Sequence, residues 1–281
     1  MGSKEGEFQL TEQNYYSREA DMAYVSVSQY KNFYGHNLGS RGCELYGMAK
    51  IKGLIQEEIT TALLVGGYVD AYFEGTLPTF AAQHPEIFST RGKTAGELKS
   101  EYKQASAMID RAMKDDLFTR YMSGDKQVIM TGQIEGIPFK IKIDSTDGRR
   151  ITDLKTVKDI HETYYVKDSG ERVSFVEWWN YALQLSCYQE IYRQNTGNTL
   201  PCYIAAISKD KTGTTPHPRI AVIEIPELIM QERLEEVKRN IVHIQELKDG
   251  LYEPIPCGLC DFCADTLPLD KVISSGQLIM V

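Results

Sequence analysis

Long apolar runs are missing from this 281-residue chain: no stretch approaches the roughly 20 residues a membrane-spanning helix requires. The first twenty residues, rich in Glu, Gln, Ser and Tyr, contain no apolar segment of the kind that directs secretion. Together these absences predict a cytoplasmic protein with no membrane partner. Cysteine is sparse, six in all, which excludes a disulfide scaffold. In a reducing compartment such thiols serve as metal ligands or as small buried apolar groups. With 10 prolines and 22 glycines the chain is neither collagen-like nor low-complexity. Positive charge is short as well: 31 Lys and Arg stand against 39 Asp and Glu, a net charge of −8. That sign is wrong for direct phosphate binding, and residues 138–172 are only balanced, eight basic against seven acidic. A bound divalent metal supplies the missing positive field where it binds. What is there, 42% hydrophobic and 25% charged residues, is ordinary globular chain, long enough for one large domain.

The chain shows no internal repeat and no low-complexity linker. Residues 1–22 read as a flexible polar arm, 23–250 as the main domain, and 251–281 as a cysteine-containing segment packed on it. Ser26 and Ser28 are candidate N-caps for a helix through 29–34. Apolar residues recurring at threes and fours predict helices over 43–57 and 60–74. Thr94 and Glu97 have capping-box spacing, which predicts a helix running to about Asp116. The pattern then changes. Short segments at 127–134, 137–144 and 150–157 alternate or are β-branched, with turns at Glu135-Gly136 and Asp147-Gly148. A helix over 174–194, strands at 200–208 and 219–225, and a helix from Pro226 to Lys248 complete the order. This predicts an α/β fold with a mixed central sheet flanked by helices.

Two strands carry the candidate chemistry. In the first, Ile137, Phe139, Ile141 and Ile143 share one face, and Lys140, Lys142 and Asp144 share the other. In the second, Asp153 and Lys155 point one way and Leu154 the other. Were the strands neighbours, two carboxylates and an ammonium would converge at one edge. The carboxylates and the Leu154 carbonyl are hard oxygen ligands suited to Mg²⁺ or Mn²⁺. A half-exposed hairpin with polar residues facing water produces the same alternation. Asp70 lies inside an apolar helix, where a carboxylate needs a partner, a metal or a wet face. Gln184 and Tyr188 stand at i, i+4 on one helical face.

In this order, the Gly-x-x-x-acid helix of Gly66 and Asp70, the strand ending at Asp144, Asp153-Leu154-Lys155-Thr156, and Gln184-x-x-x-Tyr188 resemble the RecB-like branch of the PD-(D/E)XK nucleases. The likeness is greatest to phage and prophage RecE-like recombination exonucleases and spans residues 26–263. The resemblance implies a metal-dependent DNA exonuclease, with Asp144 and Asp153 as metal-binding acids and Lys155 as the catalytic lysine. Asp70 falls where relatives usually carry a metal-binding His. Gln184 and Tyr188 match the motif that contacts substrate. It further implies action on duplex DNA ends, a single-strand annealing protein as partner, and a homo-oligomer. The alternatives are a structure-specific or restriction-type endonuclease on the same core, or a non-catalytic DNA-binding module with a structural metal–sulfur site.

Cys257-x-x-Cys260-x-x-Cys263 can turn three thiols towards one centre. The same resemblance supplies Cys43 as fourth ligand and a [4Fe–4S] cluster as occupant; four-thiolate Zn²⁺ and an empty reduced loop are the alternatives. Cys187 and Cys202 read as small buried groups. Glu57 and Glu58 read as a solvated helix face within reach of the metal site, His84 as a surface residue, and Trp178, Trp179 and Tyr181 mainly as core.

Overall fold

Strand alternation builds a five-stranded sheet that holds the candidate residues at its middle. The protein, a computed structural model, is described over residues 8–55 and 59–269 and at 272, 274 and 275. Strands β1 (Asp125–Ile134) and β2 (Ile137–Thr146) form an antiparallel hairpin. Its turn is Glu135-Gly136, with φ of 51° and 77°, the left-handed pair a tight hairpin requires. Strand β3 (Ile151–Val157) adds antiparallel to β2. The chain then makes a small hairpin, β4 (Thr163–Val166) and β5 (Glu171–Ser174), and crosses through helices α8 (Phe175–Trp178) and α9 (Tyr181–Thr196). It returns as β6 (Cys202–Ser208), parallel to β3. After a two-residue hairpin, β7 (Lys211–Thr212) and β8 (Thr215–Pro216), strand β9 (Ile220–Glu224) closes the order β1-β2-β3-β6-β9, antiparallel to β6. The sheet is mixed, as the sequence predicts.

Helices cover both faces because alternate residues of the central strands are apolar in both directions. On β6, Ile204 and Ala206 join one core while Ala205 and Ile207 join the other. The first core also takes Phe139, Ile141, Ile143 and Ile151. It lies under α2 (Val27–Tyr34), α3 (Glu44–Ile51), α9 and α10 (Glu227–Lys248). The second receives Leu154 beneath α4 (Thr61–Glu74), α6 (Ser100–Met113) and α7 (Asp116–Tyr121). Full burial of each isoleucine contributes about 1.5–3 kcal/mol.

Several boundaries differ from the sequence reading. The second half of the expected arm is packed: Tyr15 and Ala20 are buried, and residues 18–23 form helix α1 (Arg18–Ala23). Lys140, 2% exposed, fastens it by pairing with Asp21 at 2.7 Å and donating to the Tyr15 carbonyl. The helix expected over 43–57 ends at Ile51, one residue before Lys52 caps it. No capping box forms at Thr94: Gly96 turns at φ 85°, and the helix starts at Ser100. The box that does form is Ser174 with Glu177, opening α8. The helix expected over 174–194 breaks at Asn180, which is left-handed at φ 49°. Helix α5 (Leu77–Gln83), the β4–β5 hairpin and a C-terminal helix α11 (Asp261–Thr266) were not legible.

Candidate active site

The β2–β3 ladder holds only at Ser145 opposite Thr152 and Thr146 opposite Ile151. The next pair in register would be Asp144 and Asp153, and there the strands part. Asp144 Oδ2 accepts the Leu154 N–H at 2.8 Å in place of a ladder bond. A strand residue presents its N–H and C=O to the same edge, so the Leu154 carbonyl faces the same gap.

Asp153 is 1% exposed. Its Oδ1 accepts from Gln184 Nε2 at 2.7 Å, and the same amide donates to the Tyr188 hydroxyl at 3.0 Å. One turn of α9 separates the two residues, so the sheet-facing stripe of that helix delivers both. Asp153 Oδ2 lies 2.6 Å from Lys155 Nζ, an ion pair whose atoms are not aligned for a hydrogen bond. A charge contact needs no such alignment. Oδ2 is otherwise buried with no donor.

The charges on these groups are mutually set. Burial, then the neighbouring Asp153 charge, pushes the Asp144 carboxyl well above the usual carboxylate range. Burial likewise raises Asp70 to about 7, with Lys155 opposing and Glu74 and Asp153 adding to the rise. Burial works against the Lys155 charge, but Asp153 and Asp144 outweigh it and hold the ammonium protonated above its ordinary value. Asp70 reaches this cluster from α4, one of the helices on the Leu154 face.

Hard carboxylate oxygens, a carbonyl facing the gap and a buried oxygen without an aligned donor are the donor set a divalent cation takes. The three acids fit such an ion. They are looser than the cysteines: among the described residues, the four sulfurs alone gather ligand atoms within 4.8 Å of one another.

Three residues that the sequence did not single out, Tyr15, Tyr16 and Lys31, line the site, and Lys142 joins them from the Asp144 face of β2. Tyr15 and Tyr16 meet edge to face at 4.9 Å, and Tyr16, 76% exposed, stands 5.3 Å from Lys142 Nζ. Together with Lys31, Asp144, Gln184 and Tyr188 they line a cleft of about 340 Å³. Lys31 Nζ donates to the Trp179 carbonyl at 2.8 Å and lies 5.7 Å from the Tyr181 ring, which Lys155 Nζ also approaches at 5.1 Å. Burial, then the Lys155 charge, lowers Lys31 to about 8. Adjacent tyrosines in a polar segment and the alternation that puts Lys142 on the Asp144 face were the sequence signals available. Lys31 carried none, since only the fold brings it to the site.

The remaining sequence candidates separate cleanly. Cys187 and Cys202 are fully buried. Trp178 stacks on Tyr164 at 5.0 Å, and His84 pairs with Glu86 at 3.0 Å. Glu57 and Glu58 lie outside the described residues. Cys43, Cys257, Cys260 and Cys263 come together beside α3 and α11.

A mixed sheet whose central strands part around Asp144 and Asp153-Leu154-Lys155 is the core of a PD-(D/E)XK nuclease. The sequence model of the PDDEXK-like domain of unknown function (DUF3799) matches residues 26–266, and the chain belongs to that family. It is similar to a crystal structure from Eubacterium rectale that carries the name "Putative exonuclease", at 46% identity. That likeness covers 97% of this chain and 98% of the other, with a TM-score of 0.89. No curated protein matches the sequence. Among the described residues no helix is long and apolar enough to cross a membrane.

Proposed function

We propose that the protein is a metal-dependent DNA exonuclease that resects duplex ends for phage-type recombination and hands the exposed strand to an annealing protein. The observation that carries this reading is the opening of the β2–β3 ladder where Asp144, Asp153 and Lys155 meet Gln184. Asp144, Asp153, Asp70 and the Leu154 carbonyl would hold Mg²⁺ or Mn²⁺, which supplies a more acidic water and screens the phosphate charge. Lys155, kept protonated by its acids, holds the attacking water and meets charge developing on the phosphorus oxygens. Gln184 fixes the Asp153 carboxylate and, with Tyr188, presents polar groups to the phosphate. Lys31 and Lys142 give the cleft local positive charge on a chain of net charge −8. The name of the similar protein supports the exonuclease over the endonuclease reading.

End-labelled linear duplex, digested beside a closed circle with Mg²⁺, Mn²⁺ or EDTA, tests the reading. Metal-dependent release of nucleotides from the linear DNA alone is expected. Cutting of the circle would establish an endonuclease, and no cutting of either would leave the DNA-binding module.

Tyr16 gives a second expectation. An exposed ring held beside Lys142 at the mouth of the acid cluster suits stacking on a base near the scissile bond. Such stacking is worth about 1–3 kcal/mol, so Tyr16→Ala raises KM for DNA about tenfold with little change in kcat. Tyr16→Phe keeps the parent KM. An unaltered KM in the alanine variant would remove the ring from substrate binding.

A further inference from the structure

We infer that Cys43, Cys257, Cys260 and Cys263 hold a single zinc ion and not the [4Fe–4S] cluster implied by the family resemblance. The spacing of the sulfurs distinguishes the two. Cys43 and Cys263 Sγ lie 3.6 Å apart and Cys257 and Cys263 Sγ 3.9 Å apart. All four sulfurs fall within 4.8 Å of one another. Four thiolates around one zinc, at about 2.3 Å each, place sulfur pairs about 3.8 Å apart from tetrahedral geometry alone. An iron–sulfur cube binds each thiolate to a different iron at a separate corner. The sulfurs then stand about 6 Å apart, wider than this site. Disulfides do not explain the closeness, since 3.6 Å is far beyond a bond of about 2.05 Å and all four cysteines are free.

Local backbone holds this narrow spacing. Cys43 Sγ accepts the N–H groups of Tyr46 at 3.5 Å and Cys257 at 3.4 Å. Cys257 Sγ accepts those of Leu259 at 3.4 Å and Cys260 at 3.3 Å, and Cys260 Sγ that of Cys263 at 3.5 Å. Such donors stabilise thiolate charge, and a zinc tetrathiolate carries two net negative charges. Gly258, at φ 70°, makes the tight turn between the first two sulfurs of the C-x-x-C pair. Gly42 sets the other side: a Cβ there would sit 1.9 Å from the Phe33 carbonyl oxygen, so only glycine lets Cys43 approach α2. Zinc entry displaces the thiol protons as four thiolates form, with no change in oxidation state. With four protein ligands the site is closed and structural, fastening α11 to α3.

The test is metal analysis of the full chain, purified without oxygen from cells supplied with both iron and zinc. About one zinc per chain, no acid-labile sulfide and no visible absorption are expected. Replacing zinc with Co²⁺ then gives the intense visible spectrum of a tetrahedral cobalt thiolate. Iron with acid-labile sulfide, or a chain that takes up neither Zn²⁺ nor Co²⁺, would overturn the inference. Cys260→Ser should lose zinc and melt at lower temperature. If that variant does not fold, stripping zinc from the parent with a chelator reads the same loss. The inference does not rest on the nuclease reading, because metal content is measured without DNA.

Discussion

Replacing Lys155 with alanine lowers the rate of phosphodiester cleavage by about 10²–10³-fold, the usual cost of removing one preorganised donor from a site of developing charge. The circular dichroism spectrum stays that of the parent, because the Lys155 side chain is part-exposed and belongs to neither hydrophobic core. The acids around it decide what the lysine does. Asp153 and Asp144 hold its ammonium well above the ordinary value, so at neutral pH it is a fixed positive donor and a poor base. Lys155→Arg therefore also loses most of its activity, since a planar guanidinium cannot replace a point charge 2.6 Å from Asp153. Steady-state cleavage of a short labelled duplex measures both. A rate within a few-fold of the parent in Lys155→Ala would exclude the lysine from the chemistry.

Asp144→Asn should cost activity by about 10²-fold or more while making the metal-free protein more stable. The carboxyl of Asp144 is raised by burial and by Asp153, so the folded state carries it ionised only at a cost. For an acid raised in this way, stability is fully present below the unfolded value near 3.9 and is lost as pH rises through the folded one. Asparagine cannot ionise, and its side-chain oxygen still accepts the Leu154 N–H. In EDTA, the variant should thus melt above the parent by about 2–4 °C for each kcal/mol of relieved repulsion. The gap is larger at pH 8 than at pH 5. Mg²⁺ in excess narrows it, because the cation binds the folded parent and neutralises the same acids. Equal melting temperatures at pH 8 in EDTA would mean that the acids do not crowd one another.

The residues that were legible in the sequence are those whose neighbours are local. Alternation from Ile137 to Asp144 fixes which side chains leave the core, and Asp153-Leu154-Lys155 reads the same way on the next strand. The helical spacing of Gln184 and Tyr188 is likewise a local fact. Register is not: that the ladder should stop one pair short of Asp144 and Asp153 depends on how β2 and β3 twist apart. Tyr16 and Lys142 meet because Lys140 pins the N-terminal segment across β2, a contact spanning 119 positions. Thr94 and Glu97 misled for a related reason. Their spacing is that of a capping box, but Gly96 takes a left-handed turn, and the Glu97 carbonyl accepts from Ser89 instead. Asn180 breaks the helix over 174–194 through the same freedom, which Asn shares more than most residues. The pairing of Cys43 with the late cysteines followed from family resemblance alone, and nothing in its own neighbourhood announced it.

The contact between Cys43 and Cys263 spans 220 positions. A ribosome adding about 5–20 residues each second takes on the order of ten to forty seconds to make that stretch. Within that interval β1, β2 and β3 emerge, and with them Asp144, Asp153 and Lys155. The strands that carry these residues are therefore synthesised before the late cysteines, and α3 waits with one sulfur in place until the other three arrive. A chain stalled between residues 44 and 256 carries the acids and the lysine once it has passed 155, but never all four of the clustered cysteines. The contact of α3 with α11 is thus one of the last of the described fold to become possible.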